Sequence, residues 1–355
     1  MHSLGVPYLD QLSFSARQAT ALKAIGEYRG KQELYTQQTP QILDSLKTAA
    51  KIESVESSNR LEGITAEHAR IEALVLKPTP PANRSEEEIA GYRDALEEIH
   101  GRTTGLPIDL NTILQFHAMI SRYTSQIGGR WKRIDNVILE SKEDGTPRVR
   151  FRPTPAFDTP SAMAQLIDAY DMAVHHDRRE PLVVIPLTVL DFLCIHPFED
   201  GNGRCSRLLT LLLLYHFGYE VGRYISLERV FEQTKVTYYE TLEASSQHWH
   251  EGRHDVNPWL NYFWGVLIAA YKEFEDRVGT IQTARGSKTE LVKAAVSRRI
   301  GAFAISDVER DCPGVSREMI RVVLNQLRDE GMVELSGRGR GAKWMKRQGR
   351  VESVE

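Results

Sequence analysis

HPFEDGNGRCSR, running from His196 to Arg207, gathers most of the chemistry this chain can offer into twelve residues. It supplies an imidazole (His196), an apolar anchor (Phe198) and a carboxylate (Asp200). Gly201 and Gly203 bracket the amide of Asn202, and two guanidiniums follow at Arg204 and Arg207. The next residues, Leu208 to Leu214, are almost all leucine, so a buried helix is predicted to start near Gly203. A glycine-rich turn entering a helix presents unpaired N–H groups and the positive end of the helix dipole, which is a phosphate site. Glycines let the backbone come close to an anion. Arg204 and Arg207, three apart, lie on neighbouring helix positions and can grip two phosphates. Asp200 is a hard oxygen ligand suited to a Mg²⁺ shared with phosphate oxygens. His196 can take a proton near neutral pH. A base, a metal ligand and a phosphate cradle in so short a span point to transfer chemistry on a nucleotide.

The stretch resembles the signature motif of the Fic family, HPFx(D/E)GNGRxxR, and matches it at every defined position. The resemblance implies protein adenylyl transfer: AMP passes from ATP to a Ser, Thr or Tyr hydroxyl of a target protein, which can be the enzyme itself. His196 is then the base, Asp200 the Mg²⁺ ligand, and Gly201, Asn202, Gly203 and Arg204 the phosphate cradle, with Arg207 on the γ-phosphate.

Upstream, SSNRLEGI at 57–64 puts Ser58 and Glu62 four apart on one helix face, with Gly63 as a C-cap. A glutamate at a helix C-terminus opposes the dipole and calls for a cation elsewhere. The segment resembles the family's inhibitory motif, (S/T)xxxE(G/N), which implies that Glu62 pairs with Arg207 through a bidentate bond and blocks the γ-phosphate position. In one group of Fic relatives the inhibitory glutamate aligns water to remove AMP, so de-AMPylation by the same site is the alternative that the resemblance implies.

The remaining pattern is helical. Ala19 to Tyr28 and Pro40 to Lys51 show helical spacing after an extended arm, and SEEEIAGYRDALEEIH begins a helix with Ser85 as N-cap. ILQFHAMISR lies in a helix from Leu110 to Arg122, with His117 a packed or capping residue. Residues 161–176 read as amphipathic and 181–195 as buried on most faces. Only Gly129 to Pro153 alternates, around Asp144-Gly145, which predicts a β-hairpin. In Fic proteins such a flap registers the target by strand addition, and Val137, Ile138 and Leu139 fall at its nucleotide-proximal segment. A Tyr238-Tyr239 pair follows in the helix at 230–247, where relatives form the nucleoside pocket. Adjacent helical positions diverge by about 100°, so at most one of the two is expected to face the nucleotide. HWHEGRH at 248–254 lacks an HExxH context, and its histidines are read as surface or packing residues. A long helix at 257–278 closes the domain.

With 355 residues and a net charge of −3 the chain has room for two or three domains. No apolar run is long enough to span a bilayer, and the first residues, MHSLGVPYLDQL, do not read as a secretory signal. Cys194, Cys205 and Cys312 show no metal spacing, so reduced thiols and a cytoplasmic protein are expected. After a break at 279–288, three short helical patterns and two brief strands around a glycine–arginine tip resemble a winged helix domain. Residues 286–350 carry 14 Lys and Arg against 8 Asp and Glu, a local charge of +6. That balance suits DNA, with Ser316, Arg317 and Arg321 opening the recognition helix and Arg338 and Arg340 on the wing, while protein contact or dimerisation is the alternative. A DNA-binding regulator whose Fic domain senses nucleotide is the competing whole-chain reading.

The expectation is therefore a mainly α protein: a Fic-type helical core with a β-hairpin flap, plus a C-terminal winged helix domain. An arm with helices covers 1–50. The catalytic domain covers 51–278, with an inhibitory helix near 50–63 and a flap near 129–153, and the winged helix domain covers 286–350. ATP and Mg²⁺ are the implied substrate and ion.

Overall fold

The computed structural model describes residues 3–36, 40–77, 79–101, 105–141, 146–283, 288–297, 299, 302–312, 314–336 and 343–346. It divides into two compact units, Met1–Leu34 with Ala50–Tyr271, and Tyr35–Ala49 with Lys272–Glu355. The division thus falls inside helices, where composition gives no sign of it.

The helices before the hairpin are α1 (Val6–Leu9), α2 (Ala16–Thr36), α3 (Pro40–Leu61), α4 (His68–Leu76), α5 (Arg84–Gly101) and α6 (Leu110–Ile120). The strands β1 (Ile138–Ser141) and β2 (Pro147–Phe151) are antiparallel. After them come α7 (Thr159–Asp171), which passes into a π-helical turn at Met172–His176, then α8 (Pro181–Ile195) and α9 (Asn202–His216). The unit continues with α10 (Leu227–Gln233), α11 (Lys235–Ser246) and α12 (Asn257–Thr283). No helix among the described residues is long and apolar enough to cross a membrane.

α8 is the apolar centre of the first unit, packed on α7, α9 and α11. It carries Pro186 in its interior, which removes one N–H and would leave the Leu182 carbonyl without its helical partner. The indole N–H of Trp264 donates to that carbonyl at 2.8 Å, and Trp259 donates to the Pro186 carbonyl at 2.8 Å. Trp264 of α12 thus restores the partner that the proline removes, and Trp259 ties the same helix to α12 one turn on. α5 and α6 approach so closely that a Cβ on Gly91 would stand 2.2 Å from the Ile120 carbonyl oxygen.

Several local expectations need correction. The cap of α5 is Asn83, not Ser85: Asn83 Oδ1 accepts from the Glu86 N–H at 3.0 Å, and Glu86 reaches back to the Ala82 N–H at 2.8 Å. The helix read at 230–247 is broken at Thr234, where the hydroxyl turns to the Val230 carbonyl and to Tyr262. The alternating stretch from Gly129 pairs as strand only from Ile138, because the residues before it are bound to the 196–202 turn. The hairpin tip Asp144-Gly145 lies outside the described residues.

In the second unit, α13 (Lys288–Ser297), α14 (Ile305–Asp311) and α15 (Arg317–Asp329) precede the antiparallel pair β3 (Val333–Ser336) and β4 (Lys343–Lys346). Their core gathers Val292, Phe303, Val308, Ile320, Leu324 and Trp344, and Phe303 and Trp344 exchange backbone hydrogen bonds at 2.8 and 2.7 Å.

Candidate active site

The twelve-residue motif forms the turn between α8 and the start of α9. His196 ends α8 in the left-handed region (φ 51°, ψ 63°), a conformation costly for a residue with a Cβ, which recurs at functional positions. The turn is closed by Asn202, whose Oδ1 accepts from the Phe198 N–H at 2.9 Å and whose Nδ2 donates to the Phe198 carbonyl at 2.8 Å. The Asn202 side chain is therefore spent on the turn, and only its backbone can serve an anion. Gly201, the N-cap of α9, has φ 80°, which a glycine adopts without strain.

The segment before the flap locks this turn from outside. Lys132 donates from its backbone N–H to the Pro197 carbonyl (2.8 Å) and from Nζ to the Ile195 carbonyl (3.1 Å), while Asn136 donates to the Phe198 carbonyl (3.0 Å). Phe198 is stacked between His117 (3.8 Å) and Trp131 (5.5 Å). Burial lowers the Lys132 ammonium to about 8 and the His117 imidazole to about 4. Lys132 and Asn136 were not foreseen, since only their alternation with apolar residues is visible in the sequence.

His196 faces a cavity of about 180 Å³ with Glu62, Ile138, Arg150, Gly203, Arg207, Tyr238 and Tyr239, backed by an apolar wall of Phe151, Leu190, Leu193, Cys194 and Leu242. Burial pushes the imidazole down to about 4, so it is neutral at physiological pH. Its Nδ1 lies 3.3 Å from the Leu193 carbonyl, which can only accept, so Nδ1 carries the proton and Nε2 has the lone pair.

Both tyrosines of the Tyr238-Tyr239 pair line the cavity, against the expectation that at most one would, because the wall follows α11 along Tyr238, Tyr239, Leu242 and Ser246. Of the flap residues, Ile138 lines the cavity, whereas Val137 and Leu139 are exposed, as strand alternation dictates.

Arg207 is 2% exposed and held by three hydrogen bonds. Nε donates to Ser58 Oγ (2.7 Å), and Nη2 donates to the Ser58 carbonyl (2.8 Å) and to Glu62 Oε1 (2.8 Å). The expected bidentate pair is thus replaced by one carboxylate contact and two from Ser58, and Nη1 has no hydrogen-bond partner among the described residues. Glu62 reaches this position because α3 stops there. The Gly63 N–H bonds to the Arg60 carbonyl and the Ile64 N–H to the Asn59 carbonyl, each at 3.0 Å, a Schellman ending with Gly63 at φ 78°. A Cβ on Gly203 would meet Glu62 Oε1 at 2.2 Å, so the carboxylate lies against the glycine of the helix N-terminus.

Arg204 does not line the cavity. It pairs with Glu88 of α5 at 2.9 Å, and its Nη2 stands 3.9 Å from Asp200 Oδ2. Asp200 accepts from the Gly201 N–H at 2.6 Å with an otherwise exposed carboxylate. No group of three or more His, Cys, Asp or Glu able to hold a metal occurs among the described residues. A single carboxylate beside a phosphate cradle is still the donor set with which Mg²⁺ is held together with nucleotide phosphates.

HWHEGRH is a packing element. Trp249 donates to Asp191 (2.5 Å), His250 Nε2 donates to the Arg152 carbonyl (2.7 Å), and His254 stacks on Tyr8 (4.6 Å). In the second unit, the Ser316 hydroxyl caps α15 through the Met319 N–H (3.3 Å) and Arg317 pairs with Glu309 (3.1 Å), while Arg321 is exposed. Arg338 and Arg340 lie outside the described residues.

A sequence model of the Fic/DOC family matches residues 107–214. A Fido domain-containing protein of Dictyostelium discoideum is 29% identical over 91 residues, 26% of this chain, and the match spans 59% of that relative's length. Among solved structures, a Fic family protein from Desulfovibrio desulfuricans aligns with a TM-score of 0.61 at 20% identity, over 96% of this chain and 98% of that one. A Fic domain containing signaling protein from Bacteroides thetaiotaomicron aligns at 0.60 and 23% identity, over 72% and 97%. Fic-1 from C. elegans aligns at 0.58 and 18% identity, over 76% and 74%. Residues 107–214, the segment that carries the His196–Arg207 turn, match the Fic/DOC family, and the chain shares its fold with Fic proteins of known structure.

Proposed function

We propose that this protein transfers AMP from ATP to a hydroxyl side chain of a protein and that Glu62 restrains the reaction. The observation that carries the reading is the joint presence, in one cavity, of a neutral His196 with a free Nε2 and an Arg207 whose fork is partly taken by Glu62. In the reaction, Nε2 takes the proton of the target hydroxyl as its oxygen bonds to the α-phosphorus. The bond from the α-phosphorus to the bridging oxygen breaks, and diphosphate leaves. The backbone N–H groups at the start of α9 oppose the charge that develops on the phosphoryl oxygens. Arg207, whose buried Nη1 has no hydrogen-bond partner among the described residues, binds the terminal phosphate once Glu62 withdraws. Asp200 would hold Mg²⁺, which supplies charge neutralisation on the phosphates.

ATP labelled at the α- or the γ-phosphate tests this with wild type, Glu62→Gly and His196→Ala. Label from the α-position alone, stronger in Glu62→Gly and absent in His196→Ala, is the expected result. Label from the γ-position alone would make the protein a kinase, and equal labelling in all three chains would refute the mechanism. Contact of residues 286–350 with duplex DNA is a separate proposal, supported by their +6 charge and the exposed Arg321. Binding of a random-sequence duplex that weakens with salt tests it.

A further inference from the structure

Successive residues of a strand point to opposite faces, yet Arg150 and Phe151 both line the cavity. The pairing register accounts for this. Ile138 is opposite Phe151 and Leu139 is opposite Val149, so Arg150 is an extra residue on β2, a β-bulge. Bulges break strand alternation, re-aim one side chain and recur beside active sites.

The groups flanking Arg150 on the strand are already engaged. Arg148 pairs with Glu243 at 2.6 Å, and the Arg152 carbonyl accepts from His250. The guanidinium of Arg150 instead lies over the Tyr239 ring at 5.4 Å, with no ion pair among the described residues. Arg150 and Arg207 are the two cations in the cavity lining. Arg207 is met by Glu62, so Arg150 is the one without a carboxylate. A half-shielded guanidinium against an apolar wall is costly until an anion completes it.

We propose that Arg150 is a nucleotide-binding residue: the bulge aims its guanidinium at a phosphate of the nucleotide in this cavity, approaching from the flap while Arg207 approaches from α9. The proposal rests on the reading of the cavity as a nucleotide site. It gives the flap a second role, since the element read as registering the target also grips the donor. It further implies that the chain with Glu62 in place keeps a cationic contact for nucleotide.

Calorimetric titration of ATP and of adenosine into Glu62→Gly, Glu62→Gly/Arg150→Ala and Glu62→Gly/Arg150→Lys tests it, with thermal unfolding to verify that each chain folds. Loss of a charge-assisted phosphate contact should weaken ATP binding by roughly 10- to 100-fold in the alanine variant, with adenosine unchanged and lysine restoring part of the loss. Unchanged ATP affinity would overturn the proposal. So would unchanged ATP affinity with reduced labelling of protein, which would assign Arg150 to the target instead. Equal losses for ATP and adenosine would also overturn it, as a general collapse of the pocket. If Glu62→Gly itself bound no ATP, the nucleotide-site reading would fall first, and that result is separable from the others.

Discussion

Replacing Glu62 should change two quantities in opposite directions. The carboxylate makes one 2.8 Å bond to a guanidinium that is 2% exposed. Hydrogen bonds to charged groups contribute about 1.5–3 kcal/mol, so the restrained state is favoured by roughly 10- to 100-fold over one in which Arg207 is released. Glu62→Gly should therefore raise AMP transfer by about that factor. In the absence of nucleotide the same change leaves a buried guanidinium with Ser58 as its remaining partner, at a cost of about 2 kcal/mol. That corresponds to a melting temperature roughly 4–8 °C lower. Glu62→Ala, which adds less backbone freedom than glycine, should behave alike, and Glu62→Gln, which keeps a neutral acceptor, should fall between. Saturating ATP should raise the melting temperature more in Glu62→Gly than in wild type, because phosphate then supplies the missing partner. Labelling rates and melting curves of the four chains, with and without ATP, provide the assay. Faster transfer without loss of apo stability, or the reverse, would refute the idea that one bond does both.

Other outcomes follow from the same geometry. Because His196 titrates near 4 when folded, labelling by Glu62→Gly should show no acid limb from this residue between pH 5 and 8, as a pH–rate profile will reveal. His117 is also lowered, from 6.5 to about 4, so between those values the unfolded chain binds more protons and stability falls as pH falls. His117→Gln should flatten that fall by on the order of 1–3 kcal/mol, measured by denaturant melts at pH 7 and pH 5. Asp191, raised to about 6 by burial, works the other way over a similar window and offsets His196, which is lowered as His117 is, so stability of His117→Gln should be nearly level between pH 5 and 7. Asn202→Ala strands the Phe198 N–H and leaves the Phe198 carbonyl to Asn136, and should cost about 1–3 kcal/mol in melts together with most of the labelling, although it removes no reacting group.

The motif was legible because its chemistry is local: base, carboxylate, glycines and arginines lie within twelve residues, and the helix start at Asn202 follows from the leucines behind it. Glu62 was legible for a different reason. Its spacing from Ser58 and the glycine after it fix a helix end, although 145 residues separate it from Arg207. The contacts that escaped the sequence all depend on register or on distant packing. A one-residue bulge turned Arg150 into the cavity, and no pattern in PRVRF announces a bulge. Lys132 and Asn136 looked like strand residues, but their polar ends are drawn to carbonyls that a left-handed His196 leaves exposed. Pro186 would argue against a helix, and the Trp264 indole on the Leu182 carbonyl explains why α8 continues through it.

The way α3 ends has a thermodynamic consequence. The last turn of a helix is where opening costs least, so Glu62 can leave by fraying, with the rest of α3 still anchored through Ser54 and Glu53 to Glu228 and Arg229. Lys235 and the cavity-lining Tyr239 approach the Leu61 carbonyl of that turn at 3.4 and 3.5 Å. A molecule entering beside Tyr239 and the unwinding of this turn are therefore coupled, and coupling free energies are reciprocal. Any partner that clamps the end of α3 will weaken binding of that molecule by the same factor by which the molecule weakens the clamp.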